Sequence, residues 1–206
     1  AAFALPILSR IQTGGKRPQV LVLAPTRELA IQVAKSFSTY GRSVKKFSVA
    51  AIYGGQSYEP QLIQLRRGVD VIVGTPGRVI DHIKRGTLDI SGIQCLVLDE
   101  ADEMLDLGFR EDLEFILGEA PEDRRTLMFS ATVPAAIAKL AKNFQQDAER
   151  IITKSLAPSP TATVLCSSRS YSSASSTKIS ALVCAETTSP NTSPVSLPLT
   201  ISRVFD

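Results

Sequence analysis

Short runs of branched apolar residues alternate along the chain with longer segments of mixed polarity. The runs cover residues 20–24, 47–53, 70–74, 94–98 and 125–129, with a shorter one at 150–152. They carry little charge, which is typical of strands buried on both faces. The segments between them predict helices that end near residues 40, 67, 84, 118 and 144. This alternation predicts an α/β fold, a parallel sheet with helices on both faces.

A polar motif follows each of the five longer runs. The motifs are Pro-Thr-Arg-Glu-Leu-Ala at 25–30, Gly-Gly at 54–55, Thr-Pro-Gly-Arg at 75–78, Asp-Glu-Ala-Asp at 99–102 and Ser-Ala-Thr at 130–132. The carboxyl ends of parallel strands lie at one edge of a sheet, where ligands bind in open α/β folds. All five motifs are therefore predicted to share that edge.

The acidic motif has the residue types of a metal and water site. Asp99 and Glu100 follow an apolar run directly, and Asp102 comes two positions later. Mg²⁺ takes oxygen ligands, often one or two carboxylates together with substrate phosphates. Asp99 can hold such an ion while Glu100 orients or deprotonates a water. The alternative is a solvated helix start, because acids also favour a helix N-terminus.

Composition narrows the class of protein only moderately. The chain has 206 residues, of which 44% are hydrophobic and 21% charged, so it is expected to be globular. A net charge of +3 permits an anionic partner without requiring one. The three cysteines are scattered and lack metal-ligand spacing. They favour a reducing compartment, and a cytoplasmic location is expected.

The character of the chain changes near residue 156. The segment 156–206 is rich in serine, threonine and proline and lacks helical periodicity, and its short β-like runs lie at 163–166 and 181–184. Such a composition predicts a poorly ordered tail after a domain at 1–155. A second domain cut short is the alternative.

Taken together, the motifs resemble the DEAD-box RNA helicases. The acidic motif at 99–102 spells the family's name, and the other four occur in the family's order. The resemblance covers residues 1–155 and implies the first of two RecA-like domains. It further implies an ATP hydrolase that acts on RNA, with ATP and Mg²⁺ as its cofactors.

The resemblance also implies roles for individual residues. Asp99 would bind Mg²⁺ through water, Glu100 would position the attacking water, and the hydroxyls of Ser130 and Thr132 would hydrogen-bond Asp102. Further residues would contact the RNA backbone independently of base sequence, using arginine, hydroxyl and backbone donors. These residues are Thr26, Arg27, Gly55, Thr75, Gly77 and Arg78. The only histidine, His82, lies on the helix after Arg78 and is expected to be a surface residue and not a catalyst.

Two parts of the family pattern are missing from this sequence. The phosphate loop is expected before Ala1, and Gly14-Gly15-Lys16 lacks the spacing to replace it. No pattern typical of the second domain follows residue 155. The chain alone is therefore expected to be inactive, as a fragment of a helicase. A non-catalytic RNA-binding fragment, a frameshifted product and a related DNA translocase remain as alternatives.

Overall fold

The computed structural model describes residues 3–145, 148–153 and 162–167. Seven strands form one sheet in the order β2-β3-β1-β4-β5-β7-β6. The strands are β1 (Val20–Leu23), β2 (Val49–Ile52), β3 (Val71–Gly74), β4 (Cys95–Leu98), β5 (Arg125–Ser130), β6 (Ala148–Thr153) and β7 (Ala162–Ser167).

Helices connect the consecutive strands from β1 to β6, with one short 3₁₀ turn at Gly41–Ser43. The helices are α1 (Ala4–Leu8), α2 (Arg27–Tyr40), α3 (Tyr58–Arg67), α4 (Pro76–Lys84), α5 (Ala101–Asp106), α6 (Arg110–Glu119) and α7 (Ala135–Phe144). In the part of the chain that the structure describes, no helix is long and apolar enough to cross a membrane.

Strands β1 to β5 are mutually parallel, as the alternating pattern predicts. β1 pairs with β3 and β4, β2 pairs with β3, and β4 pairs with β5. All four residues of β1 and of β3 are buried. Their runs lack polar alternation because helices cover both of their faces. The predicted fold class is confirmed.

The core forms two layers, one on each face of the sheet. Along β1, Leu21 and Leu23 pack into one cluster while Val20 and Val22 pack into the other. This alternation follows from the two-residue period of a strand. Helices α1 and α2 contribute to the second cluster, and α4 to α7 contribute to the first.

The far edge of the sheet differs from the sequence prediction. β7 pairs antiparallel with both β5 and β6, so β6 runs parallel to β5 but is separated from it by one strand. β7 coincides with the β-like run at 163–166, inside the segment predicted to be a poorly ordered tail. The run at 181–184 lies outside the described residues, and the domain boundary at 155 stays a prediction.

Candidate functional site

The five polar motifs lie at one edge of the sheet, as predicted, because they follow the carboxyl ends of five parallel strands. The strand order divides this edge into two neighbouring halves. The ends of β4 and β5 carry the acidic and hydroxyl motifs. The ends of β2, β3 and β1 carry the glycine, threonine and arginine motifs. Negative and positive groups are therefore separated along a single edge.

Asp99 is the last residue of the β4 run to bond within the sheet. Its backbone N–H donates to the carbonyl of Leu23 over 2.9 Å. Burial, followed by the negative charge of Glu100, raises the pKa of Asp99 to about 6. Among the described residues it has no ion-pair partner, since the ion pairs found there are Arg17–Asp89 and Arg110–Glu114. A largely buried carboxylate of this kind favours a bound cation.

Glu100 has a left-handed backbone, with φ 54° and ψ 54°, and it stands at the N-cap of α5. A non-glycine residue in this region costs free energy, and such outliers cluster at functional sites. The side chain is exposed at the edge. Partial burial, then the charges of Glu103 and Asp102, raise the pKa of Glu100. A raised pKa makes a carboxylate a better proton acceptor.

Asp102 links the β4 end to the β5 end. Its Oδ2 accepts hydrogen bonds from the backbone N–H and the hydroxyl of Thr132, each over 2.9 Å. The Ser130 hydroxyl donates to the carbonyl of Thr132. Burial alone would raise the pKa of Asp102, but the hydrogen bonds from Thr132 and Ser130 hold it below its usual value.

Arg27, in the motif after β1, lies close to the Gly-Gly motif that follows β2. Thr26 caps α2, and its hydroxyl accepts from the N–H of Leu29 over 3.2 Å. The exposed Arg27 guanidinium lies 5.0 Å from the centre of the Tyr53 ring. A Cβ built on Gly55, whose φ is +73°, would lie 3.6 Å from Nη1 of Arg27. The sites predicted from two separate motifs therefore meet in space.

The β3 end opens helix α4. Thr75 is its N-cap and makes no side-chain capping bond, and Gly77 is exposed in the first turn. The half-buried Arg78 donates from Nη1 to the carbonyl of Gln56 over 3.0 Å. Gly74 allows β3 to pack closely against β2 and α4, because a Cβ there would lie 2.6 Å from both the Ile52 carbonyl oxygen and Cγ2 of Val79.

Two buried polar residues beneath Arg78 were missed by the sequence analysis. Gln61 on α3 is 1% exposed, and its Oε1 lies 3.4 Å from Nη1 of Arg78 and 3.1 Å from Nε2 of His82. His82, which follows Arg78 on its helix and was expected to lie at the surface, is 0% exposed, and that expectation was wrong. The available signal was its spacing four residues after Arg78, which puts both on one face of α4.

Comparisons with known proteins agree with this architecture. The family model described as DEAD/DEAH box helicase matches residues 1–140. A protein of Mycobacterium tuberculosis (strain CDC 1551 / Oshkosh) named ATP-dependent RNA helicase DeaD is 54% identical over 154 residues, which is 75% of this chain and 27% of that protein. The protein of the same name from Escherichia coli (strain K12) is 50% identical over 73% of this chain and 24% of its own length.

Solved structures match the same region. A DEAD box protein from the hyperthermophile Methanococcus jannaschii aligns with a TM-score of 0.67 and 43% identity, over 70% of this chain and 39% of that one. The yeast DEAD-box splicing factor Prp28 aligns with a TM-score of 0.65 and 36% identity, over 70% of this chain and 36% of its own.

These matches cover the parallel α/β part of the chain. In that part Asp102, which follows β4, is hydrogen-bonded to Thr132, which follows β5. The chain belongs to the DEAD/DEAH box helicase family. It spans about a quarter of the length of the curated relatives that it matches.

Proposed function

We propose that this chain supplies the first-domain part of an ATP-dependent RNA helicase, in which RNA-stimulated ATP hydrolysis drives local separation of RNA duplexes. The observation that carries this proposal is the divided sheet edge. Acidic groups suited to metal and water lie at the ends of β4 and β5, beside cationic and uncharged donors at the ends of β2, β3 and β1. The printed names of the bacterial relatives support the same activity.

In this proposal Asp99 holds Mg²⁺ that arrives with ATP. The fit rests on a mostly buried carboxylate with a raised pKa and no ion-pair partner among the described residues. Those residues contain no cluster of three or more groups able to form a complete protein cage. One carboxylate suits Mg²⁺, which keeps waters and phosphate oxygens as its other ligands. When bound, the ion neutralises phosphate charge.

Glu100 then acts on the attacking water. Its side chain is exposed and projects from a left-handed backbone position next to Asp99. Its raised pKa favours accepting a proton. Phosphoryl transfer requires mainly positioning of the reacting groups and neutralisation of their charge. Glu100 would position the water, and a metal held by Asp99 would neutralise charge. Hydrogen bonds among Asp102, Ser130 and Thr132 hold the two strand ends together.

The other half of the edge is proposed to bind the RNA backbone. Arg27 and Arg78 offer guanidinium groups, which fit phosphate oxygens with paired donors. Thr26, Thr75 and the first turns of α2 and α4 add hydroxyl and backbone N–H donors. Gly55 and Gly77 leave room for a backbone to approach closely. Contacts to phosphate carry no base information, so binding is proposed to be independent of sequence.

The loop at 14–16 does not serve as the phosphate cradle in this proposal. The N–H of Gly14 donates to Oδ1 of Asp70 over 3.2 Å, and Asp70 directly precedes β3. This loop therefore lies at the amino ends of the strands, opposite the acidic motif. For this reason we expect slow phosphate release by the 206-residue chain alone. A cytoplasmic location is proposed for the whole protein.

A chimera tests the proposal. Residues 3–145 would replace the matching segment of the Escherichia coli relative, and RNA-stimulated phosphate release and duplex separation would be measured. We expect both activities to survive the exchange and to fall at least about a hundredfold on Glu100→Gln, while ATP binding persists. The unmodified relative and its own equivalent variant serve as controls. A folded chimera that binds RNA and ATP without hydrolysis would contradict the proposal.

A further inference from the structure

Beneath Arg78 lies a buried hydrogen-bond network that joins helices α3 and α4 to the loop at 53–57, which contains Gly54 and Gly55. The amide nitrogen of Gln61 donates to the carbonyl of Tyr53 over 3.0 Å and to Oε1 of Gln56 over 3.3 Å. Its amide oxygen faces both Arg78 and His82. Gln61 thus contacts the loop, the arginine and the imidazole together.

The network determines which ring nitrogen of His82 carries the proton. Because both donors of Gln61 have oxygen partners, its amide orientation is fixed and its oxygen must face Nε2 of His82. That oxygen can only accept, so Nε2 carries the hydrogen. Nδ1 is then an acceptor, and it lies 2.8 Å from the hydroxyl of Thr87, whose single hydrogen is shared between Nδ1 and the backbone carbonyl of His82, 3.0 Å away.

The surroundings of His82 favour this neutral form. Burial lowers its pKa most, Arg78 and Arg85 lower it further, and Asp81 acts in the opposite direction. The ring also packs at a tilt against Tyr58, with centroids 5.3 Å apart. An uncharged donor therefore lies beneath the arginine at neutral pH.

The guanidinium of Arg78 is held by neutral groups. Nη1 bonds to Gln56 and Gln61, and Cζ lies 4.1 Å from the centre of the Tyr58 ring. Among the described residues no carboxylate forms an ion pair with it. A guanidinium fixed in this way keeps its full charge and its remaining N–H groups for an incoming anion.

We propose that Gln61 and His82 are positioning residues that orient the Arg78 guanidinium and the Gln56 loop toward a phosphate of the RNA backbone. This inference rests on the proposed RNA-binding role of the same edge. Neither residue touches RNA. Both act by fixing the Nη1 side of the guanidinium from below, so that its other face points outward with little rotamer freedom left to lose on binding.

A double-mutant cycle on the 206-residue chain tests this inference. The variants are His82→Phe, which keeps the ring and removes the donor, His82→Gln, which retains an amide donor, and Arg78→Ala. Affinity for a short fluorescent single-stranded RNA of mixed sequence is measured by anisotropy at several salt concentrations. Circular dichroism and thermal melts confirm folding, and Lys142→Ala removes an exposed charge on α7 as a control.

We expect Arg78→Ala to weaken RNA binding roughly tenfold or more and to reduce the salt slope by about one. His82→Phe should reproduce most of this loss and the same change in slope, and His82→Gln should restore part of it. In the Arg78→Ala background, His82→Phe should have almost no further effect on RNA affinity, because the group it positions is gone.

The outcomes distinguish a failure of the proposed RNA role of this edge from a failure of the positioning role of Gln61 and His82. If the wild-type chain does not bind RNA, or if Arg78→Ala leaves affinity unchanged, the proposed RNA role of this edge fails and the inference falls with it. If Arg78→Ala weakens binding but His82→Phe does not, or if their effects are fully additive, only the positioning role is overturned.

The imidazole itself offers a second readout, because His82 is the only histidine in the sequence. ¹⁵N spectra of the free chain should show a single neutral ring protonated at Nε2, and its signals should shift when RNA is added. In the Arg78→Ala variant the RNA-induced shift should disappear. A ring protonated mainly at Nδ1 would contradict the deduced network independently of any RNA measurement.

Discussion

Thr132 and Asp102 are joined by two hydrogen bonds that end on the same oxygen atom. The backbone N–H and the hydroxyl of Thr132 both lie 2.9 Å from Oδ2 of Asp102. One residue stands in the first turn of α5 and the other in the loop after β5. The bonds therefore fix the ends of two adjacent strands against each other, at the point where metal-holding and water-positioning groups are proposed to work.

Thr132→Val removes the hydroxyl bond and keeps the backbone bond. We expect the pKa of Asp102 to rise toward its ordinary value and the free energy of unfolding at neutral pH to fall by about 0.5–1.5 kcal/mol. A depressed carboxyl pKa stabilises the fold above its unfolded value, and that contribution is lost as pH falls through the folded value. The difference between variant and wild type should therefore shrink in acid.

Urea denaturation at several pH values, with a carboxyl NMR titration, measures both effects of Thr132→Val. Thr39→Val is the matched control, because the Thr39 hydroxyl donates only to a helix carbonyl, that of Lys35. An Asp102 pKa that does not move on Thr132→Val would argue against the hydrogen bonds as its cause.

Asp99→Asn is expected to stabilise the domain at pH 7.5. Burial and the neighbouring Glu100 raise the pKa of Asp99 from 3.8 to about 6, so the folded state binds the proton more tightly than the unfolded chain. The fold therefore loses stability as pH rises from the unfolded pKa through the folded one. Removing the charge should recover about 1–3 kcal/mol at pH 7.5, and the gain should become smaller toward pH 4.

Thermal and urea denaturation across this pH range would show the effect of Asp99→Asn, with Asp106→Asn on the exposed end of α5 as the control. Equal stability of wild type and Asp99→Asn at every pH would mean that Asp99 is not desolvated as described. The variant should also lose hydrolysis in the chimera, because the proposed metal-holding oxygen is gone.

Glu100→Gly is expected to stabilise the chain while abolishing hydrolysis in the chimera. Glu100 has φ 54°, which glycine adopts without a Cβ clash, so relief of strain should contribute about 1 kcal/mol. Lys46, with φ 60°, is the matched control: Lys46→Gly should bring a similar gain without loss of hydrolysis. Destabilisation by both substitutions would show that neither backbone is strained.

Val164→Pro is expected to destabilise the domain by about 3 kcal/mol, because proline removes an amide donor from an interior strand. Val164 pairs with Phe129 on β5 and with Ile151 on β6. Ala162→Pro is the control, since the first residue of a strand tolerates proline. Urea denaturation compares the two. Equal, negligible effects would favour the sequence-based expectation of a poorly ordered tail beyond residue 155.

The parallel sheet and the edge that carries the five motifs could be predicted because both depend on local patterns. The run at 20–24 is apolar at consecutive positions and is followed at once by the motif that contains Thr26 and Arg27, and a polar motif likewise follows each of the other four runs. Parallel pairing then brings every motif to one edge without further information. The bond between Thr132 and Asp102 followed from the family resemblance, and the structure contains it.

The network under Arg78 could not be predicted, because it depends on contacts between distant segments. Gln61 and His82 are 21 residues apart and meet only when α3 and α4 pack together. In the sequence each looks like a polar residue on an amphipathic helix. The position of β7 was equally out of reach, since a serine-rich segment gives no signal for pairing with β5 and β6.

If the sheet edge binds RNA as proposed, its width limits how much RNA backbone this domain can contact. The ends of β2, β3 and β1 span two inter-strand intervals, which is about 10 Å at ~4.8 Å each. A stacked strand advances ~3.4 Å per nucleotide, so a backbone lying along these ends covers about three nucleotides. Under the proposed function, a footprint this small would favour brief openings a few base pairs long over continuous tracking. Any longer binding site would have to come from surfaces beyond this domain.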